Sequence, residues 1–232
     1  MSTTLLLQLI GPMQSWGFRS RFDNRDTGLE PTRSGVVGLL CAALGLGRDA
    51  NLGTFENLIM GVRVEKTGTV ALDYHTAQPI WREPRNAGTT QSNRYYLSDA
   101  RFLVALQSDD KLQLEKLEYA LKNPVWPLFL GRKSFVPSVP VHFAQSGLRD
   151  GDCESVLKAQ PWLFFSHKEE RQAKKLSSNL RLILESATPA HGVASPDVPR
   201  DFRRRRYGVR YLRNASCDAP TFASHPLWRL GS

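Results

Sequence analysis

Two groups of residues could grip a phosphate. In the first, Gly131-Arg132-Lys133-Ser134 follows Phe129 and precedes Phe135 and Pro137. A glycine ahead of two cations lets the backbone come close to a phosphate while Arg132 and Lys133 neutralise it. Phe129 could stack a base, as recognition of an unpaired strand requires. The same residues also make an ordinary turn with solvated cations, and spacing does not separate the two readings. In the second group, Arg200 to Arg213 holds seven arginines with Phe202, Tyr207 and Tyr211 among them. If extended, Tyr207, Val209 and Tyr211 share one face and Arg206, Gly208 and Arg210 the other. The aromatics would then pack while arginines such as Arg204 and Arg206 meet phosphates. An acidic protein surface is the competing partner.

A third candidate lies near the N-terminus. Pro31-Thr32-Arg33-Ser34-Gly35 runs into an apolar helix, and a helix N-terminus offers unsatisfied N–H groups to an anion. Ser34 is the expected cap, with Arg33 beside it. The Gly11-Pro12 turn, with Gln14 and Trp16 beyond it, would set an amide and an indole next to that site.

Other chemistries find little support. His75, His142, His167, His191 and His225 show no metal spacing. Tyr74-His75 and His167-Lys168 are the neighbours that a metal-free ribonuclease could use, with His as general base. Neither a Walker loop nor a nucleophile elbow nor a paired-carboxylate motif is present. Cys41, Cys153 and Cys217 are odd in number and widely spaced, which suits a reducing compartment and neither a disulfide framework nor a zinc site. No cofactor is expected.

The composition agrees with a polyanionic partner. The 232 residues carry a formal charge of +9, with 31 basic against 22 acidic side chains. Lys and Arg release counterions condensed on phosphates, whereas a merely solubilising charge need not cluster. The longest uncharged apolar run, Gly35 to Gly47, is too short for a membrane span, and the N-terminus lacks a basic secretory head. A cytoplasmic protein without a membrane partner is expected.

The elements that must hold these residues follow from hydrophobic period. Thr3 to Ile10 reads as a strand apolar on both faces, and Ser34 to about Leu46 as a buried helix. Val62–Lys66 and Val70–Tyr74 read as strands joined at Thr67-Gly68, followed by an irregular stretch from Thr76 to Arg94. Ala100–Gln107 is a strand, Lys111–Lys122 a helix capped by Asp109 or Asp110, and Val139–Phe143 a short strand. Further on, Cys153–Ala159 reads as a helix, Trp162–Ser166 and Arg181–Glu185 as strands, Thr188–Pro199 as a Pro-rich loop, and Thr221 onward as a loose tail. The order strand, helix, strand, strand, helix, strand up to residue 143 is that of an α+β, ferredoxin-like (RRM-like) domain. It predicts a domain over residues 1–146 and a small β-rich C-terminal portion over 147–232.

Six runs in register resemble the Cas-five family of the type I-E CRISPR Cascade complex, within the RAMP superfamily. They are Leu9–Gly17, Pro31–Gly35, Asp73–Thr76, Arg94–Ala100, Leu130–Ser134 and Pro199–Phe202. The resemblance implies a non-catalytic subunit that binds the 5′ handle of the CRISPR RNA and caps the backbone filament. It implies a protruding thumb at about 76–98 that meets the Cascade backbone subunit. It also implies contact with the large subunit that reads the protospacer-adjacent motif, and so with target DNA through the complex. By position, Arg94 at the thumb base matches a handle-contacting arginine. Phe129, Arg132 and Lys133 match the aromatic and basic positions of the glycine-rich loop, and Arg33 and Ser34 lie where the first helix faces RNA. A related subtype's member is itself a nuclease with a Tyr, Lys and His set, so a metal-independent endoribonuclease acting on repeat RNA is the alternative.

Overall fold

The computed structural model describes residues 2–17, 23–78, 89–163, 179–186 and 188–218. In chain order the strands are β1 (Thr3–Ile10), β2 (Met13–Gln14), β3 (Asn24–Arg25), β4 (Ile59–Lys66), β5 (Thr69–Ala77), β6 (Thr90–Ser98), β7 (Arg101–Ser108), β8 (Leu148–Asp150), β9 (Asn179–Glu185), β10 (Val193–Asp201) and β11 (Arg206–Asp218). The helices are α1 (Arg33–Leu44), α2 (Lys111–Lys122) and α3 (Cys153–Ala159).

All eight residues of β1 are buried because its side chains meet a layer on each face. Leu5, Leu7 and Leu9 pack with apolar residues of α1 and α2. Leu6 and Ile10 point the other way, into a second cluster with Val156 and Leu157 of α3. A strand enclosed on both sides reads as a continuous apolar run, which is the pattern of Leu5 to Leu7. Helix α2 begins and ends where its period predicts. The Asp110 carboxylate accepts the Gln113 N–H at 3.0 Å, and Leu114, Leu117, Ala120 and Leu121 are buried. Helix α1 corrects the expected cap. Thr32, with extended backbone, accepts the Gly35 N–H at 3.2 Å, so Ser34 already lies inside the first turn.

Seven strands form one sheet in the order β10-β11-β9-β4-β7-β1-β8, antiparallel throughout. Within it, β1, α1, β4, β7, α2 and β8 follow the predicted strand–helix–strand–strand–helix–strand order. The last strand is Leu148–Asp150 rather than Val139–Phe143. Pro137 and Pro140 deprive that earlier segment of ladder donors. It lies beside β1 instead, where Gln8 donates its backbone N–H to the Val141 carbonyl and its side-chain amide to those of Pro140 and His142. Among the described residues from 147 onward, β8 pairs with β1 and β9 pairs with β4, so both join the sheet of the preceding residues. The predicted Pro-rich loop is in its second half an edge strand, β10. Among the described residues β10 has a ladder partner on one side only, which tolerates Pro196 and Pro199, and register shifts fall at both. Trp162 and Leu163 are buried without strand pairing. The rest of that predicted strand, the charged stretch Glu169–Lys175 and the tail from Thr221 lie outside the described residues.

A second sheet carries the arm. β5 and β6 pair antiparallel over nine positions, β2 pairs antiparallel with β6, and β3 pairs parallel with it. The irregular stretch predicted up to Arg94 is therefore a regular ladder from Thr90 on, and residues 79–88 lie outside the described set. Gly68 (φ +74°) sends the chain from one sheet to the other. A Cβ there would lie 2.7 Å from the Ser98 carbonyl oxygen. Consequently β4 and β5, adjacent in sequence, do not pair with each other.

No helix among the described residues is long and apolar enough to cross a membrane.

Candidate nucleic-acid interface

Three arginines converge where the second sheet meets the loop after α2. Register places Asp73, Arg94 and Arg25 side by side across β5, β6 and β3. Arg132 enters from the loop and donates to the carbonyls of Tyr95 at 2.8 Å and Arg25 at 3.2 Å. Its guanidinium carbon lies 5.4 Å from the centre of the Phe135 ring, which in turn packs against Tyr96 at 5.8 Å. Arg132 Nη1 is buried and has no hydrogen-bond partner among the described residues. Burial, then the charges of Arg94 and Arg25, push the Arg132 pKa below the usual arginine value, against the weaker pull of Asp73 and Asp26. Three guanidiniums against two carboxylates leave local charge that an anion would neutralise. An unsatisfied buried charged donor costs about 1–3 kcal/mol or more, and a phosphate oxygen would recover that cost.

Gly131 makes this arrangement possible. Its φ is +93°, and a Cβ would sit 1.7 Å from the Ser15 carbonyl oxygen. The loop is fixed to the strand extension by Ser15 N–H to the Leu130 carbonyl at 3.0 Å. It is closed on itself by Leu130 N–H to the Phe135 carbonyl at 2.8 Å and by Phe135 N–H to the Arg132 carbonyl at 2.9 Å. Lys133 and Ser134 project from its exposed end, and Phe129 is half-buried at its start. So Arg94, Phe129, Gly131, Arg132, Lys133 and Ser134 are one neighbourhood, with Gly131 serving close approach to Ser15.

Other expected members are elsewhere. Gln14 and Trp16 do not reach the surface: both are buried. The Gln14 amide donates to the carbonyls of Leu9 (3.1 Å) and Ala100 (2.8 Å), and its oxygen accepts the Trp16 indole N–H at 3.1 Å. Their polar atoms are consumed in tying the end of β1 to the start of β7. The N-terminus of α1 is likewise not open to a phosphate, because an internal carboxylate fills it. Asp197 accepts the Arg33 N–H at 2.7 Å. The Arg33 guanidinium is bound to Glu185 and to the carbonyls of Phe55 and Glu56. Ser34 is half-buried beside the Thr32 hydroxyl at 3.4 Å.

The Arg200–Arg213 run is also divided. Arg210 is buried against Asp197 and Glu185 while Tyr207 and Val209 are exposed, the reverse of the expected faces. The reason is charge: two carboxylates lie beneath β11. Arg200 pairs with Glu56 and Arg213 with Glu154. Arg204 and Arg206 stand at the β10–β11 turn of the seven-stranded sheet, whereas Arg132 reaches the second sheet from its loop.

Arg25 and Phe135 were not singled out by sequence. Arg25 lies in a polar loop with no period to mark it. Phe135 stands beside the glycine-rich loop and could have been found as the ring that Arg132 needs.

Residues 4–213 match the family Cas_Cas5d, described as CRISPR-associated protein (Cas_Cas5). The chain belongs to this CRISPR-associated Cas5 family. It is 37% identical over 150 residues to the Escherichia coli (strain K12) protein named CRISPR system Cascade subunit CasD, covering 58% of this chain and 67% of that one. A solved structure described as a Cas protein is 40% identical, with a TM-score of 0.74 over 93% of this chain and 95% of its own. A chain of a CRISPR RNA-guided surveillance complex is 31% identical, with a TM-score of 0.76 over 96% of this chain and 94% of its own. For a Cas5 family member, the Arg25–Arg94–Arg132 cluster is a charge arrangement that requires an explanation.

Proposed function

We propose that this Cas5 protein is a non-catalytic subunit of a Cascade-type complex in the cytoplasm, holding the 5′ handle of the CRISPR RNA and capping the backbone filament. The observation that carries the reading is the buried, partnerless Nη1 of Arg132 between Arg94 and Arg25. A phosphate of the handle would take that donor, with Lys133 adding charge at the rim and Phe129 stacking a base. The ferredoxin-like (RRM-like, RAMP) frame would hold the site rigidly. The β5–β6 arm would be the thumb that meets the backbone subunit, and the large PAM-reading subunit would bring target DNA to the assembly.

The test is titration of labelled 5′-handle RNA with the purified protein and with Arg94→Ala/Arg132→Ala. Charged hydrogen bonds are worth about 1.5–3 kcal/mol, so the double variant should bind at least tenfold more weakly while remaining folded by circular dichroism at the assay temperature. It should also fail to co-purify with partner subunits. Unaltered affinity and assembly would refute the assignment.

One observation favours the endoribonuclease alternative. His75 Nε2 lies 2.5 Å from Asp73 Oδ2, a pair that could orient an imidazole as general base. A discrete cut in repeat RNA in EDTA, lost in His75→Ala, would establish it.

A further inference from the structure

We infer that the β10–β11 turn is a second polyanion site, separate from the Arg132 cluster, and that it grips the phosphate backbone of double-stranded DNA without reading sequence. Arg203, Arg204, Arg205 and Arg206 are consecutive and all exposed at the end of a two-stranded ribbon. By contrast, Arg33, Arg63, Arg200, Arg210 and Arg213 each meet a carboxylate. Among the described residues, no ion pair involves Arg203, Arg205 or Arg206, and Arg204 has only Asp201 at 3.8 Å. Leaving four guanidiniums together in solvent costs self-repulsion that a partner of high negative charge density would remove.

The ribbon end is also built to be stiff. The Asp201 carboxylate accepts the Arg204 N–H at 2.8 Å, and Phe202 packs down onto the core, 3.9 Å from where a Cβ of Gly38 would lie. Arg205 holds a left-handed backbone (φ +53°). These contacts fix the backbone that carries the four exposed arginines.

Shape selects the partner. A single strand is held in a groove lined by stacking rings, as the Arg132 neighbourhood offers. A ribbon end that carries exposed cations and, among the described residues, no neighbouring groove of rings suits a duplex, whose major groove admits a two-stranded ribbon between two phosphate walls. Duplex DNA carries one charge per about 1.7 Å, a density that four adjacent guanidiniums match.

The experiment is a salt titration of the full chain with a DNA duplex of about 30 base pairs and arbitrary sequence, followed by anisotropy. The variant is R203Q/R204Q/R206Q, with Arg205 retained for its left-handed backbone. Each phosphate contact contributes a slope of about 0.9, so losing three should flatten the salt dependence by about 2.7. From about 50 to 200 mM salt, the wild type should then lose about 40-fold more affinity than the variant. Handle RNA binding should stay unchanged, and a second duplex of different sequence should behave alike. Equal salt slopes overturn the inference. An equal loss of handle RNA binding reassigns the arginines to the RNA site, and loss of partner-subunit association alone reassigns them to an acidic protein surface; both overturn it. Failure of the Arg94→Ala/Arg132→Ala test leaves this result standing, because the two variants alter different sheets.

Discussion

Replacing Gly131 with alanine tests whether the Arg132 loop is held by close backbone approach. At φ +93° an L side chain pays about 1–2 kcal/mol. A Cβ 1.7 Å from the Ser15 carbonyl oxygen must also retreat to an ordinary contact, a displacement of about 1.5–2 Å if the usual spacing of non-bonded atoms is restored. The neighbour is backbone, so no rotamer change relieves it. Moving the loop that far breaks the 3.0 Å bond from Ser15 N–H to Leu130, worth about 1 kcal/mol net, and disturbs Leu130, which is wholly buried. The expected total is about 3–5 kcal/mol, a third or more of the stability of a typical domain. Urea denaturation followed by tryptophan fluorescence reads it as a lowered midpoint at constant slope. The same displacement pulls Arg132 from the carbonyls of Tyr95 and Arg25, so handle RNA affinity should fall at temperatures where the variant is still folded. A loss below about 1 kcal/mol would refute the close-approach argument, since positive φ alone costs that much.

Two further outcomes concern the interior. Asp197→Asn removes the carboxylate that pairs with the buried Arg210 guanidinium and accepts the Arg33 backbone N–H, and should cost about 3–5 kcal/mol in urea denaturation. For Glu118, burial pushes the carboxyl pKa up. The Gly147 N–H, the Ser146 hydroxyl and the Lys122 ammonium outweigh that and hold it below the ordinary 4.5. A depressed folded-state pKa gives stability that is present above pH 4.5 and lost as pH falls through the folded value. Stability measured from pH 6 downward should therefore decline less steeply in Glu118→Gln.

Hydrophobic period marked the parts of the fold that bury one or two faces. β1, α2 and α3 were legible because Leu5–Ile10, Leu114–Leu121 and Cys153–Leu157 each face an apolar layer. β6 was not, because its first half, Thr90–Arg94, is polar and at least partly exposed and so shows no apolar period. β10 was hidden by Pro196 and Pro199, which an edge strand accepts. In the site, Arg132 and Arg94 could be named from residue type, whereas Gln14, Trp16 and Arg33 lie buried and bonded within the protein. A polar side chain that satisfies itself indoors looks, in sequence, like one waiting for a ligand. Only the partners supplied by Ala100, Glu185 and Asp197, 86 to 164 residues away, distinguish the two.

The distance along the chain between Arg25 and Arg132 has a consequence for biosynthesis. The guanidinium of one reaches the carbonyl of the other across 107 positions. At ribosomal speeds of about 5–20 residues per second, their emergence is separated by about 5–20 s. During that interval the nascent polypeptide presents lone cations but no assembled grip. Half-made molecules therefore have little to hold passing transcripts with, and loading becomes possible only after translation has moved beyond Phe135.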